Sequence, residues 1–189
     1  MKHSKLAMLN FMALCCVLGM FTKKLINPFA NIITEALHIP GGISTGFSIM
    51  FLVIATEVVK GQHSDIRDDT ICKCATLMGI VQGFLSLALG RVGSMGIFMP
   101  IGFIIPGMSI DFIYSLQKYI KFSRTERMVF ANALAAIMAS VTANVIVFHL
   151  KGSVLGLYLC VSGVSGIIYG YFGSSIASRL RSICRYEYH

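Results

Sequence analysis

Six apolar stretches, separated by short gaps that carry most of the charge, constrain this chain more than any motif it contains. They cover residues 6–22, 43–59, 71–90, 95–116, 128–150 and 153–177. A helix that crosses a bilayer needs about 20 mostly apolar residues, within a range of about 17–25. Charged residues make up only 13% of the 189-residue chain and hydrophobic ones 56%. An ordinary soluble domain carries about 25% charge, so this chain has too little polar surface to wet a globule, and too many apolar side chains to stay disordered. The expected fold class is all-α: one integral, polytopic membrane domain over residues 1–189 with six transmembrane helices, a short amphipathic helix between the first two, and both termini in the cytoplasm.

The amphipathic helix is read from residues 27–38. Asn27 followed by Pro28 is a good helix start, a capping side chain followed by a preset φ, and Pro40-Gly41-Gly42 is a clear stop. Leu25, Phe29, Ile32, Ile33 and Leu37 recur at helical spacing, with Asn27, Asn31, Glu35 and His38 on the opposite face. Twelve or so residues are too few to cross, so the segment is expected to lie at the interface or dip in and back. The first stretch is short, but Lys5 and Lys23 can snorkel to both interfaces. No small-x-small site follows it, so it is expected to stay in the protein rather than be cleaved.

Orientation follows from Lys and Arg. With six spans, the inner segments hold Lys2, Lys5, Lys60, Arg67, Lys73, Lys118, Lys121, Arg124, Arg127, Arg179, Arg181 and Arg185, and the outer ones only Lys23, Lys24, Arg91 and Lys151. The positive-inside rule then places both termini in the cytoplasm. Seven spans with an outside N-terminus give the same tally of twelve inside to four outside, and only the length and polar stripe of residues 27–38 favour six. This placement also accounts for the net charge of +8 without a nucleic-acid partner, which would need a basic face on a soluble domain.

Small residues mark where helices meet, because lipid offers no hydrophobic drive for their association. The fifth stretch carries Ala131, Ala135, Ala139 and Ala143, beside Asn132, Ala136, Ser140 and Asn144. The sixth carries Ser162, Gly166, Gly170, Ser174 and Ser178 in the same register, and the third adds Ala75, Gly79 and Gly83. Packing within one subunit is the favoured reading. The six cysteines read as reduced structural thiols: Cys15, Cys16 and Cys160 lie in apolar runs, and Cys72-Lys73-Cys74 is too tight for a zinc pair.

Catalytic sets are missing. Gly163-Val164-Ser165-Gly166 matches a pattern of intramembrane serine proteases, but no later span holds a histidine to activate Ser165. The chain has neither a Gly-x-x-x-x-Gly-Lys-Ser/Thr phosphate loop nor His-Glu-x-x-His, and no enzyme, metal or cofactor is expected. Polar groups in the spans are the better pointers, since they are costly in lipid. In the six-span topology Asn31, Glu35, His38, Gln82, Arg91, Asn144, His149 and Tyr158 all fall on the outer side, where they are expected to line one substrate pocket covered by the amphipathic segment. Asp111, in the inner half of the fourth stretch, is read as structural, with proton coupling as its alternative. Pro100 and Pro106 are expected to kink that helix.

This layout resembles the substrate-binding (S) components of energy-coupling factor (ECF) transporters. The resemblance spans roughly residues 5–180 and rests on the 27–38 segment, Ile39-Pro40-Gly41-Gly42, Leu77-Met78-Gly79-Ile80-Val81-Gln82-Gly83, Gly90-Arg91-Val92-Gly93-Ser94-Met95-Gly96 and Pro106-Gly107-Met108-Ser109-Ile110-Asp111. It implies capture of a vitamin or related micronutrient at the outer face of a cell membrane, bacterial by the family's distribution. It also implies transport through a partner T component and two ATPase subunits. Members often carry Ala-xxx-Ala on the first helix for docking; this chain has Cys15-xxx-Gly19, so partner docking is expected at Cys15 and Gly19. The alternative function is a stand-alone, proton-coupled carrier of a small solute.

Overall fold

The computed structural model describes residues 2–37, 43–62, 73–90, 93–117, 119–146, 149 and 152–186. Among them the regular structure is wholly helical: α1 (Lys2–Leu37), α2 (Ile43–Gln62), α3 (Cys74–Ala88), α4 (Met99–Leu116), α5 (Arg124–Ile146) and α6 (Ser153–Tyr186), with one 3-10 segment, Gly93–Phe98, before α4. Five of these helices contain windows long and apolar enough to cross a membrane: Leu6–Ile33, Ser44–Gly61, Met95–Leu116, Arg124–Val145 and Ser153–Arg181. This fits a multi-pass membrane protein. The remaining one, α3, has 15 residues and is about 22 Å long at about 1.5 Å per residue, shorter than a bilayer's hydrocarbon core.

Helix α2 is the centre of the bundle. Every residue from Leu52 to Val59 is buried, Thr56 and Glu57 included, so this part of the helix is enclosed on all sides. Around it stand α1, α5 and α6, while α3 packs chiefly on α4, α4 on α5, and α5 on α6. Glycines set the closest of these approaches. A Cβ on Gly79 would lie 2.5 Å from the Phe103 carbonyl oxygen, and one on Gly107 2.6 Å from that of Ala75, so α3 and α4 meet backbone to backbone. The small-residue rows of α5 and α6 do the same: a Cβ on Gly166 or Gly170 would come within 2.7 Å of Ala133 or Val129 Cα.

Local sequence explains most helix ends. Ser123 and Glu126 form a reciprocal capping box at the start of α5: the Ser123 N–H donates to Glu126 Oε2 at 2.9 Å and the Glu126 N–H to Ser123 Oγ at 3.3 Å. Gly90, at φ 65°, ends α3 in the left-handed conformation glycine tolerates best. Lys73 at the start of α3 makes no side-chain cap, and the cap comes instead from α4, as described below.

Two expectations are corrected. The segment at 27–38 is not a separate short helix within the described residues. Helix α1 runs unbroken from Lys2 to Leu37 with Pro28 inside it, so the local start signal at Asn27-Pro28 is overridden although the proline removes one hydrogen bond of the helix. The fourth stretch keeps its bounds as a candidate span, Met95–Leu116, but Gly96 at φ 53°, ψ −130° turns the chain inside Gly93–Phe98, so its α-helix begins at Met99. Pro100 consequently sits in the first turn of α4, where its missing N–H has no partner to lose, and only Pro106 lies in the helix interior.

Candidate functional site

The bundle holds a partly open cavity of about 90 Å³, towards the end where α2 and α4 begin and α3 and α5 finish. Five helices converge on it. Gly19 and Gly102, Ala139 and Ala143 open the space, Thr45, Ser48 and Gln82 supply polar atoms, and Met95, Met99 and Phe103 form an apolar wall. Its volume equals about three waters at ~30 Å³ each and falls short of the ~300–1,000 Å³ of pockets for drug-sized ligands. The unbranched methionines, next to the turn at Gly96, are the side chains best able to re-pack around something larger.

Of the eight residues expected to share a pocket, one lines this cavity. Gln82 is buried on α3 and donates from Nε2 to the Cys16 carbonyl at 3.0 Å, bridging α3 to α1. Asn144 lies one residue beyond the lining Ala143 and is buried, but its Nδ2 is held by the Ser140 carbonyl and hydroxyl at 2.8 and 3.1 Å. Tyr158 is half-buried on α6 and is not among the lining residues. Asn31 and Glu35 ride the last turns of α1 on exposed positions, and His149 is exposed at φ 48° between α5 and α6. His38 and Arg91 lie outside the described residues. Of these eight the described residues bring Gln82 to the cavity wall, while the continuity of α1 carries Asn31 and Glu35 along its axis to exposed positions. The docking face expected at Cys15 and Gly19 is also turned inward. Cys15 is buried in the core, and a Cβ on Gly19 would meet Gln82 Nε2 and the Ser48 carbonyl oxygen at 3.2 Å.

The opposite end of the bundle holds a cluster of charge that the sequence reading left out. Glu57, buried in α2, accepts from Arg127 Nη2 on both carboxylate oxygens at 2.8 and 2.7 Å and from the Tyr114 hydroxyl at 2.9 Å. Arg181 of α6 approaches the same carboxylate at 3.8 Å and donates to the Gly61 carbonyl. One turn along α2, Lys60 donates to Asp111 at 3.0 Å. The other bonds of Asp111 reach the start of α3: the Thr76 N–H and hydroxyl each at 2.8 Å and the Ala75 N–H at 3.4 Å. A carboxylate there complements the positive end of the helix dipole and supplies the cap that Lys73 does not. The Tyr114 ring lies between the two ion pairs, with Lys60 Nζ 5.0 Å and Arg127 Cζ 4.9 Å from its centroid, within the reach of a cation–π contact. Five helices, α2 to α6, are thus joined by charge at one end. The signal that could have found this was Glu57 itself, an acid inside an apolar stretch.

Ser165 donates to the Ser162 carbonyl of its own helix at 2.9 Å and abuts Gly46, as a packing residue does. Cys15, Cys16 and Cys74 are free and buried, and Cys160 is free and exposed. No group of three or more His, Cys, Asp or Glu side chains suited to a metal occurs among the described residues. Comparison with known protein families, with curated proteins and with solved structures finds no match to this chain.

Proposed function

We propose that this protein is the membrane-embedded substrate-capture subunit of an ECF-type transporter. It would take up a vitamin or related micronutrient at a bacterial cell membrane, with a T component and two ATPase subunits as partners. The observation that carries the reading is the pairing of an uncommitted cavity at one end of the bundle with a charge-locked opposite end. Capture requires a site that opens to one side; Gln82, Ser48 and Thr45 offer hydrogen bonds there, and Met95, Met99 and Phe103 offer apolar contact. The positive-inside count assigns the charged end to the cytoplasm, which leaves the cavity towards the exterior. Asp111 weighs against the proton-coupled carrier, because its carboxylate is committed to Lys60, the Thr76 hydroxyl and the two backbone amides at the start of α3, a structural set of partners that ties three helices together.

The test is untargeted mass spectrometry of small molecules released from the purified, tagged protein, together with identification of the proteins it retains in mild detergent. A bound organic solute is expected, lost in Gln82→Leu, and a T component with ATPases is expected to copurify. Absence of both from folded protein refutes the proposal.

A further inference from the structure

The cavity is too small for the solute it is proposed to hold, and one of its own wall residues occupies the missing room. About 150 Å³ encloses a single benzene ring, against the roughly 90 Å³ present. Met95, from the 3-10 segment Gly93–Phe98, and Gly102, from α4, both line the space. Their contact is direct: a Cβ on Gly102 would lie 2.8 Å from Met95 Sδ and 3.2 Å from its Cε and, beyond its own helix, would meet nothing else within 4 Å. The thioether therefore rests on the bare backbone of α4, in the room that a glycine leaves.

That contact exists because the chain folds back. In a continuous helix residues 95 and 102 stand about 10 Å apart along the axis at ~1.5 Å per residue, and the side chain at 95 leans towards the N-terminus, away from 102. Gly96, at φ 53° and ψ −130°, turns the chain between them in a conformation that glycine adopts at least cost. Ile97 and Phe98 of the same segment are 79% and 53% exposed, whereas Met95 is half-buried. An unbranched thioether changes rotamer at little cost, so Met95 can leave its seat without disturbing α4. Its three heavy atoms beyond Cβ fill roughly 90 Å³ at the ~30 Å³ of a water each. With them displaced the space about doubles and exceeds what one ring needs.

We propose, resting on the capture reading of this cavity, that Met95 is a placeholder: in the free protein its thioether fills the subsite on Gly102 that a planar ring of the bound solute takes over. The solute class follows from the walls. Gly102 offers bare helix backbone on which a flat ring can lie, Met99 and Phe103 supply apolar contact, and Thr45, Ser48 and Gln82 stand at its edge. The Ser48 hydroxyl already donates to the Thr45 carbonyl at 3.0 Å, and Gln82 Nε2 to the Cys16 carbonyl at 3.0 Å. What these two side chains keep for a ligand includes their acceptor oxygens, which suit N–H or O–H groups on the ring. The solute is thus a single-ring compound with hydrogen-bond donors along one edge.

Ser48→Cys puts a thiol on the cavity wall by a one-atom change. Its modification is followed by mass spectrometry of the peptide carrying residue 48, so the native thiols do not contribute. Methyl methanethiosulfonate adds a group the cavity already holds, and benzyl methanethiosulfonate adds an uncharged planar ring; each rate is taken relative to that with glutathione. A close-packed wall admits a ring only where a void exists, so benzyl labelling is expected to be about tenfold slower than methyl labelling, and Met95→Ala should speed it about tenfold while changing the methyl rate less than about twofold. Gly102→Leu added to Met95→Ala should return benzyl labelling to the slow rate by refilling the seat, and Gly102→Ala does so in part should the leucine fail to fold. Ile97→Ala, exposed on the same segment, should change neither rate. Benzyl labelling indifferent to Met95→Ala, insensitive to refilling at Gly102, or speeded equally by Ile97→Ala would overturn the placeholder and leave capture standing. A thiol that the methyl reagent reaches neither at 48 nor, in Thr45→Cys, at 45 would overturn capture itself, and the placeholder with it.

Discussion

Replacing Glu57 by Gln removes the counter-charge from an arginine, Arg127, that is only 6% exposed. Arg127 places Nη2 at 2.8 and 2.7 Å from the two Glu57 oxygens, and its Nε has no hydrogen-bond partner, so the carboxylate is its principal compensation. Removing one member of a buried pair costs about 3–5 kcal/mol, because the other charge stays behind without solvent. Two features place the expected value near the lower end. The Gln amide oxygen can still accept from the Tyr114 hydroxyl. The lost attraction to Arg181, at 3.8 Å with a side chain 26% exposed, is worth no more than ~1 kcal/mol after solvent screening. A loss of about 3 kcal/mol corresponds to about 6–12 °C in Tm for a chain of this size, using the ~2–4 °C per kcal/mol found for comparable soluble domains. The assay is thermal unfolding in detergent, followed by a thiol-reactive fluorophore that reports exposure of the buried Cys15, Cys16 and Cys74. Arg127→Gln is measured beside it, and the double variant Glu57→Gln/Arg127→Gln is expected to lose less than the two single losses combined, by about 0.5–3 kcal/mol. A Tm within about 2 °C of the parent for Glu57→Gln, or strictly additive losses in the cycle, would refute the reading of Glu57 as the charge on which Arg127 depends.

Asp111→Asn keeps an acceptor for the start of α3 but gives up its pairing with Lys60, at an expected cost of about 1.5–3 kcal/mol. Asp111→Ala also loses the cap and should cost about 0.5–2 kcal/mol more; uptake abolished in a fully stable Asp111→Asn would instead revive proton coupling. Gly79→Ala drives a Cβ to 2.5 Å from the Phe103 carbonyl oxygen and should destabilise by about 1–3 kcal/mol through forced separation of α3 from α4. Gly156→Ala, with nothing within 4 Å, should be neutral or up to ~1 kcal/mol stabilising, and equal melting of the two variants would count against the backbone-to-backbone contact.

Helices were legible in the sequence wherever an apolar run of sufficient length met a local end signal. The small-residue rows of α5 and α6 announced their contact, and Gln82 stood out as an amide with no reason to be in lipid unless something accepts from it. Asn27-Pro28 misled because it scores as a helix start on local preference alone, whereas the helix that enters from its N-terminal side continues through the proline. Arg127 and Arg181 misled in another way. Both count towards the positive-inside balance as though solvated, whereas Arg127 is enclosed by α2 and α4. Nothing local reveals this, because Glu57, Tyr114, Arg127 and Arg181 meet only after four helices have packed. Sharing one side of a membrane does not by itself bring side chains to one axis: Glu35 is exposed on the last turns of α1, whereas Gln82 is buried on α3.

The two ends of the bundle differ in what it takes to open them, and this difference separates the functional readings. At the charged end, parting α2 from α4 and α5 breaks both the Glu57–Arg127 and the Lys60–Asp111 pairs. At about 3 kcal/mol or more for each buried charge left alone, that is about 6 kcal/mol, or a population lowered about 10⁴-fold at 1.4 kcal/mol per factor of ten. Around the cavity, the bond from Gln82 to the Cys16 carbonyl and van der Waals contacts of methionine, glycine and alanine resist separation far less. A stand-alone carrier must open both ends in every cycle and would meet the larger barrier each time. A capture subunit needs only the weaker end to open, while partner ATPases supply the work of release. If Glu57→Gln speeds thiol labelling of the buried Cys74 from the charged end while substrate occupancy of the cavity is unchanged, the two ends are independent gates, as the capture reading requires. Labelling that rises only with loss of the bound solute would mean the ends move together, as they do in a carrier.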